Sequence, residues 1–258
     1  METRGEANKL WRLVALDIDG TVLPRDAGVS AENRRWISRA RQLGLEVTFA
    51  TGRHRSSMVE QLATELGFTV PFVTANGSEV WTPDGKLLER HTLPVEDIFF
   101  LQDLAGQYKA NYWAAMSSRV ARTGQFPDPK DYSKYEWLKF GFWSRDASAI
   151  SGLWQALREH GGFELSNSDP SNIEINPLGV NKASGLKVVC EYVGIDPGQM
   201  VAIGDSLNDI PMIEMAGLGV AMGNAQQPVK DAADRVAPAV DEDGVAKTLR
   251  FLLEQMGK

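Results

Sequence analysis

Two carboxylates one residue apart follow an apolar segment near the start of the chain. Residues 13–21 read LVALDIDGT, so Asp17 and Asp19 come directly after four apolar residues. Side chains two apart in a strand share a face, whereas a turn beyond the strand can aim a carboxylate and a backbone carbonyl at one point. Such oxygen ligands suit a hard cation, and a carboxylate beside a metal-bound phosphate can act as a covalent nucleophile. The run therefore indicates phosphoryl chemistry.

A calcium loop is the main structural alternative for the same run. An EF-hand loop needs a further oxygen ligand and a glycine at other spacings, and Val22 and the preceding strand contradict that pattern. The run alone does not decide the chemistry, so the interpretation depends on what the rest of the chain supplies.

Three further segments carry reactive residue types at the ends of predicted elements. Thr51 follows an apolar strand, Lys182 begins a helix, and the run GDSLND at residues 204–209 follows another apolar strand. In a parallel sheet, strand ends of one polarity share an edge, and ligands bind there. We therefore expect Asp17, Thr51 and Asp205 to converge on one crevice.

The requirements of phosphoryl transfer give these residues roles, because most of the acceleration comes from positioning and charge neutralisation. Asp17 would supply the nucleophilic oxygen. Mg²⁺ would be held by Asp17, the backbone carbonyl of Asp19, and Asp205, and would screen the repulsion between two anions. Asp19 would protonate the leaving oxygen and then accept a proton from the water that hydrolyses the aspartyl-phosphate.

The phosphate also needs donors for its non-bridging oxygens. The candidates are the Lys182 ammonium, the Thr51 hydroxyl and the backbone amides of Gly52 and Ile18. Each segment has a plainer explanation when it is taken alone. Thr51 and Gly52 could form only a strand-to-loop turn, Lys182 could be a solvated first-turn lysine, and the run at 204–209 could only cap a helix.

The pattern of apolar runs and turn residues predicts a split α/β architecture. Strand and helix signals alternate over residues 12–80 and again from Lys182, which predicts a doubly wound parallel-sheet core formed by residues 1–81 and 178–258. Residues 82–177 lose this rhythm and are predicted to form an inserted α/β cap domain. Strands are predicted at residues 12–16, 46–50, 72–75, 79–81, 86–89, 111–116, 137–143, 163–166, 173–176, 200–203, 218–221 and 235–237. Helices are predicted at residues 30–43, 56–66, 95–108, 147–160, 182–193, from 209, 228–233 and 244–256.

Composition limits the partners and the compartment. A net charge of −7 and a pI near 5.1 argue against a nucleic-acid binder. The single cysteine, Cys190, excludes an internal disulfide framework, fits a reducing compartment and is expected to be structural. Residues 1–9 are polar and do not resemble a signal peptide, and no stretch approaches the roughly 20 apolar residues of a membrane span. We expect a cytoplasmic protein that binds neither nucleic acid nor membranes.

The order of the motifs resembles the haloacid dehalogenase superfamily of phosphatases. DIDGT, ATGR, the lysine and GDSLND occur in that order, and an insert after the third strand is similar to the Cof-type branch. That branch includes sugar phosphatases, sucrose-phosphate phosphatase and phosphomannomutase. The resemblance covers nearly the whole chain outside the insert and implies the roles described above for the matching residues. It also implies that Asn208 lies among the phosphate-binding or substrate-binding residues and that Asp209 supports Lys182 or a metal-bound water.

The sequence thus predicts a magnesium-dependent phosphatase for a small phosphorylated metabolite, with a sugar phosphate as the first choice. A phosphomutase of the same branch and a non-catalytic phosphate-binding regulator are the alternatives. The cap is expected to close over the crevice and choose the substrate, and the protein is expected to be a monomer or a weak homodimer.

Other polar and aromatic residues carry no readable motif. The tryptophans at 113, 137 and 143 are expected in a core rather than stacked on a sugar, and the pair Asn76-Gly77 is expected to form a tight turn at the domain junction. The histidines at 54, 91 and 160 are expected at the surface. Arg53 could contact the substrate or lie at the surface, and Arg119, Arg122 and Lys139 are basic candidates for substrate contact that are left unassigned.

Overall fold

The computed structural model describes residues 11–24 and 27–258. The prediction for the polar segment 1–9 lies outside these residues. The strands are β1 (Leu13–Leu16), β2 (Glu46–Phe49), β3 (Phe72–Thr74), β4 (Glu79–Trp81), β5 (Leu87–Arg90), β6 (Asn111–Met116), β7 (Val120–Arg122), β8 (Trp137–Trp143), β9 (Phe163–Ser166), β10 (Asn172–Pro177), β11 (Met200–Gly204), β12 (Leu218–Ala221) and β13 (Arg235–Val236). The helices are α1 (Ala31–Gln42), α2 (Glu60–Glu65), α3 (Val95–Gln107), α4 (Ala147–His160), α5 (Lys182–Val193), α6 (Ile210–Met215), α7 (Gln227–Ala232) and α8 (Gly244–Gln255).

A five-stranded parallel sheet forms the centre of the molecule, in the order β13-β12-β11-β1-β2. All four residues of β1 are buried, because both neighbouring strands and the helix layers cover it. Strands buried on both faces are continuous apolar runs rather than alternating ones. The predicted doubly wound parallel core is therefore confirmed, with α1 packed against α8 and α5 against α6.

The third predicted strand departs from the expected parallel arrangement. One parallel bridge, between Ala50 and Val73, links β3 to the central sheet. The ladder of β3 is instead antiparallel to β4, which pairs in turn with β5. The chain reverses at once because Ala75, Asn76 and Gly77 all have positive φ angles, of 49°, 57° and 103°. The tight turn and the following hairpin were predicted from the sequence, but the sheet to which β3 contributes its ladder was not.

A second sheet lies in the middle of the chain. Its five strands are antiparallel in the order β7-β6-β8-β10-β9, and α3 and α4 pack with it. It has its own buried cluster, which includes Trp137, Phe140 and Phe142. Strand β7 was not predicted, because its three residues carry no apolar alternation. The boundaries at residues 82 and 177 stay a prediction, and the β4–β5 hairpin straddles the first of them.

The predicted helix at 56–66 begins irregularly. A π-type turn at Arg55–Val59 precedes α2, and Ser57 and Met58 within that turn have non-helical backbone angles. His54 caps this turn with its side chain and is buried, so its expected surface location was wrong.

A capping box fixes the first residue of helix α5. The Asn181 side chain accepts from the Ser184 amide, and the Ser184 hydroxyl accepts from the Asn181 amide, which forms a capping box. Lys182 is therefore the first helical residue, and it is buried. Further along the same helix, Cys190 is buried, and burial raises the pKa of its thiol to about 11. In residues 11–24 and 27–258, no helix has the length and apolar character needed to span a membrane.

Replacing Gly77 with alanine tests how closely the turn after β3 approaches the start of α5. A Cβ there would overlap the Asn181 carbonyl oxygen, and φ is +103°. Gly44 also has a positive φ, of +81°, but open space around its Cα, so Gly44→Ala is a matched control. We expect Gly77→Ala to lose about 1–3 kcal/mol more unfolding free energy than Gly44→Ala, measured by urea denaturation. Equal losses would show that the contact with Asn181 does not constrain the turn.

Candidate active site

The loops after three parallel strands meet at one cavity, although of the three residues expected to converge there only Asp17 lines it, with Gly52 and Ser206 in place of Thr51 and Asp205. Asp17 follows β1, Thr51 follows β2 and Asp205 follows β11. A cavity of about 300 Å³ lies at this edge. Its lining residues are Asp17, Asp19, Gly52, Arg53, Ser168, Asp169, Glu174, Ser206 and Asn208.

The centre of the site is a buried lysine between two carboxylates. The Lys182 ammonium lies 2.6 Å from Asp17 Oδ1 and 2.7 Å from Asp209 Oδ1. The other oxygen of Asp209 accepts from the backbone amides of Asp205 and Ser206, both at 2.9 Å. Asp209 thus connects Lys182 to the loop after β11, and its supporting role in the reaction stays a prediction.

The cluster carries more negative than positive charge. Burial raises the pKa of Asp17, and Asp209 and Asp205 add to that effect while Lys182 opposes it. Burial and the nearby Asp209 raise the pKa of Asp205 to about 7. Burial alone would lower the pKa of Lys182, but Asp17 and Asp209 raise it, so the lysine stays protonated. One ammonium therefore leaves the carboxylates partly uncompensated.

This excess charge and the donor types fit a hard cation. Carboxylate oxygens of Asp17, Asp205 and Asp209 lie within 4.8 Å of one another. Both oxygens of Asp209 are already engaged, which leaves Asp17 and Asp205 as the carboxylate donors. Gly20, with φ +78°, permits close approach of Asp205, since a Cβ there would overlap the Asp205 carboxylate. An all-oxygen donor set of this kind suits Mg²⁺ better than a transition metal.

Asp19 has a different environment from Asp17. Its carboxylate accepts two hydrogen bonds from the Arg53 guanidinium, at 2.7 Å and 2.6 Å. The Asp19 side chain is 55% exposed, whereas that of Asp17 is 7% exposed. Arg53, for which the sequence left substrate contact and a surface location open, therefore lines the cavity and binds the Asp19 carboxylate.

The loop after β2 is packed tightly around Gly52. An added Cβ would lie 2.9 Å from Asn76 Oδ1 and 3.0 Å from Lys139 Nζ. Thr51 is buried, and its hydroxyl oxygen accepts from the Arg53 amide at 3.2 Å. Ile18 is also buried, and its carbonyl accepts from the Val22 and Leu23 amides, so the chain bends sharply after β1. The roles of these amides and of the hydroxyl in phosphate binding stay predictions.

Asn208 joins a polar group that sequence reasoning missed. Its side-chain amide lies 3.3 Å from Asn76 Oδ1 and 3.4 Å from Glu174 Oε2, and Glu174 pairs with Lys139 at 2.8 Å. Both charged residues come from the second sheet and are almost fully buried. A partial signal was present: Lys139 is the single charged residue of an otherwise apolar and aromatic strand, whereas Glu174 lies in a strand that also contains Asn172 and Asn176.

A larger pocket of about 880 Å³ adjoins this cavity and shares Gly52 and Arg53 with it. Its other lining residues are His54, Ser56, Ser57, Asn111, Tyr112, Trp113, Ser118, Arg119, Val120, Arg122, Thr123, Trp143 and Asn172. Trp137 is in the core as expected, but Trp113 and Trp143 line the pocket instead. Trp113 lies across Gly141 of the neighbouring strand, where a Cβ would overlap its indole ring.

Comparison with known proteins gives consistent matches over the chain. A family model for haloacid dehalogenase-like hydrolases matches residues 14–136 and 125–249. The 5-amino-6-(5-phospho-D-ribitylamino)uracil phosphatase YcsE of Bacillus subtilis (strain 168) is 43% identical over 239 residues, which cover 93% of this chain and 94% of that protein. The phosphoglycolate phosphatase of Methanopyrus kandleri is 33% identical over 246 residues, covering 95% of this chain and 98% of that protein.

Solved structures match the same extent. A haloacid dehalogenase-like hydrolase from B. subtilis has a TM-score of 0.83 at 25% identity, covering 94% of this chain and 100% of that chain. A haloacid dehalogenase-like hydrolase from Bacteroides thetaiotaomicron has a TM-score of 0.76 at 28% identity, covering 94% and 99%. The similarity therefore includes the second sheet as well as the parallel core.

Because negative charge exceeds positive charge around Lys182, we expect Lys182→Met and Asp17→Asn to change the unfolding free energy very differently. Lys182→Met leaves buried carboxylates without their cation, and we expect it to cost about 3–5 kcal/mol of unfolding free energy. Asp17→Asn removes a carboxylate whose pKa is raised by folding, so at neutral pH we expect its effect to be within about 1 kcal/mol or stabilising. Urea denaturation in chelator-treated buffer measures both. A loss for Asp17→Asn as large as for Lys182→Met would contradict the imbalance.

Proposed function

The chain belongs to the haloacid dehalogenase-like hydrolases and is a phosphatase of small phosphorylated metabolites, and we propose that it works with Mg²⁺ through a phosphorylated Asp17. The observation that carries this proposal is the buried contact of 2.6 Å between Lys182 and Asp17 at the wall of a cavity lined by further carboxylates. A lysine with only a surface role would be solvated and would not be buried against two carboxylates.

Asp17 is the proposed nucleophile. Lys182 holds Oδ1, so the carboxylate is fixed in orientation while its second oxygen attacks phosphorus, forms the new O–P bond and releases the leaving oxygen. Asp17 and Asp205, with the backbone carbonyl of Asp19, are the proposed ligands of Mg²⁺. When bound, Mg²⁺ would neutralise charge shared by the Asp17 carboxylate and the phosphate oxygens.

The non-bridging phosphate oxygens are proposed to bind at the loop after β2 and at Lys182. The Thr51 hydroxyl already accepts from the Arg53 amide, so its hydrogen is available to a phosphate oxygen. The backbone amides of Gly52 and Ile18 are proposed to add two more donors, and Asn208 lies at the cavity wall beside them. Donors fixed in this way stabilise developing charge without reorganising during the reaction.

Asp19 is the proposed general acid and base. It would give a proton to the leaving oxygen and then take one from the water that hydrolyses the phosphorylated Asp17. Arg53 binds both oxygens of Asp19, so it orients the carboxylate toward the cavity. We expect the bound substrate to replace one of these hydrogen bonds, which would free an Asp19 oxygen for proton transfer.

The substrate is proposed to be a phosphorylated sugar or sugar alcohol. Its phosphate would lie in the cavity beside Asp17, and the remainder would occupy the pocket of about 880 Å³ in which Trp113 and Trp143 can stack on a ring. The B. subtilis relative is named for a substrate with a phosphorylated ribityl chain and a uracil ring, so that compound is the first to test. The second sheet, as the proposed cap over residues 82–177, would keep bulk water from the site until Asp17 is phosphorylated.

Two rival functions make different predictions. A phosphomutase would pass the phosphoryl group to a second sugar hydroxyl, so steady release of inorganic phosphate from a simple sugar phosphate would exclude it. A regulator that only binds phosphate needs no nucleophile, and the retained set of Asp17, Asp19, Lys182 and Asp205 argues against it.

We further propose a cytoplasmic location, which the buried free thiol of Cys190 supports, and a monomer or weak homodimer.

Replacing the proposed nucleophile separates the phosphatase from a regulator that only binds phosphate. We expect Asp17→Asn to lower phosphate release by on the order of 10³-fold or more, and Asp19→Asn by about 10²–10⁴-fold. Asp103→Asn, on the exposed face of α3, is the control and should keep wild-type activity. The measurement is phosphate release over a panel of metabolites with and without Mg²⁺, with mass spectrometry for a phosphate on Asp17. Full activity of Asp17→Asn would refute the mechanism.

Replacing Trp113 tests the pocket proposed for the leaving group. We expect Trp113→Ala to raise KM about 2- to 13-fold for 5-amino-6-(5-phospho-D-ribitylamino)uracil, since ring stacking contributes about 0.5–1.5 kcal/mol. KM for ribitol 5-phosphate, which has no ring, should change little. Trp154→Ala, outside both cavities on α4, is the control. An equal change in KM for both substrates would show that Trp113 does not contact the ring.

A further inference from the structure

An ion pair of the second sheet reaches the loop after β2. Lys139 of β8 and Glu174 of β10 are each almost fully buried, with 2.8 Å between Nζ and Oε2. Burying two charges is costly unless further hydrogen bonds satisfy them. Lys139 meets this requirement by donating a hydrogen bond to the Gly52 carbonyl at 3.1 Å. Gly52 lies in the loop after β2, which belongs to the parallel sheet. The mechanism above uses neither charged residue.

The contact between Lys139 and the Gly52 carbonyl is linked to the position of the Thr51 hydroxyl. The peptide unit is planar, so holding the Gly52 carbonyl also fixes the amide of Arg53 on the other side of the bond. That amide donates to the Thr51 hydroxyl oxygen at 3.2 Å. Lys139 therefore acts on the Thr51 hydroxyl through one rigid peptide unit.

Glu174 fixes the same loop from a second direction. Its Oε2 accepts from the side-chain amides of Asn76 at 2.7 Å and Asn208 at 3.4 Å, and its Oε1 accepts from the Ser168 hydroxyl at 2.9 Å. The backbone amide of Asn76 donates in turn to the Thr51 carbonyl at 3.0 Å. The ion pair thus contacts the loop directly at the Gly52 carbonyl and indirectly, through Asn76, at the Thr51 carbonyl, beside the backbone bonds that Val73 and Ala75 form with the same loop.

We infer that Lys139 and Glu174 are positioning residues that hold the phosphate-binding loop in place from the second sheet. They act through Gly52 and Asn76 rather than on phosphorus. The inference rests on the proposed function, because it takes the Thr51 hydroxyl and Gly52 amide as phosphate donors. Loss of the pair then weakens phosphate binding even where the fold is retained.

A double-variant cycle tests this inference. Lys139→Met and Glu174→Gln each leave one buried charge unpaired, so we expect both to lower Tm, and the double variant to recover it. The double variant should still bind inorganic phosphate more weakly and have a lower kcat/KM, each by up to about 10²-fold, because the loop is no longer held. Calorimetry with Mg²⁺ measures the phosphate Kd. Recovery of both Tm and phosphate Kd would reduce the pair to a structural role and overturn the inference.

Glu174→Asp provides a test that does not remove the charge. The shorter side chain keeps its carboxylate but withdraws it from both Asn76 and Lys139, and we expect a phosphate Kd several-fold higher with a smaller loss of Tm than in Glu174→Gln. An unchanged Kd would contradict the inference.

A partly buried ion pair outside both cavities serves as the control. Glu79 is 1% exposed and lies 2.6 Å from Arg90. Glu79→Gln combined with Arg90→Met should change Tm without changing the phosphate Kd or kcat/KM. Wild-type protein that binds phosphate but releases none from any ester would contradict the proposed function alone, and the phosphate Kd values would still decide the inference.

Discussion

The site depends on the cost of burying one lysine among carboxylates. Lys182 is inaccessible to solvent and finds its partners in Asp17 and Asp209, which lie in two different strand-end loops. A buried ammonium must be paired with carboxylates, so a movement of the start of α5 would break the ion pairs that connect Lys182 to these two loops. The capping box at Asn181 and the close approach of Gly77 fix that helix start. The helix end is therefore as much a part of the site as the strand ends.

Most of the fold could be predicted from the sequence because the core strands are continuous apolar runs that end in polar residues. That pattern gave β1, β2 and β11, and parallel pairing then required Asp17, Thr51 and Asp205 to meet at one edge. The prediction succeeded because strand polarity is a global constraint. Once the direction of one strand is assigned correctly, parallel pairing places the carboxyl ends of the other strands at the same edge of the sheet.

The failures come from contacts between residues far apart in the sequence. Three consecutive positive φ angles after β3 send it into an antiparallel sheet, and only Asn76 and Gly77 gave a local sign of that turn. His54 was expected at the surface, because nothing in its neighbours reveals that it is buried as the cap of an irregular turn. Lys139 and Glu174 have meaning only as a pair, and their strands are paired by a register that local patterns do not encode.

The order in which the chain leaves the ribosome gives the split architecture a further consequence. β1 lies between β2 and β11, and its Asp17 meets Lys182 across 165 residues of sequence. Until β11 is synthesised, one edge of the most buried strand has no neighbour, while the second sheet can already close around its own aromatic core. Unpaired apolar edges attract other strands. During translation, the edge of β1 that pairs with β11 is therefore the edge that stays open longest, and synthesis of β11 closes it.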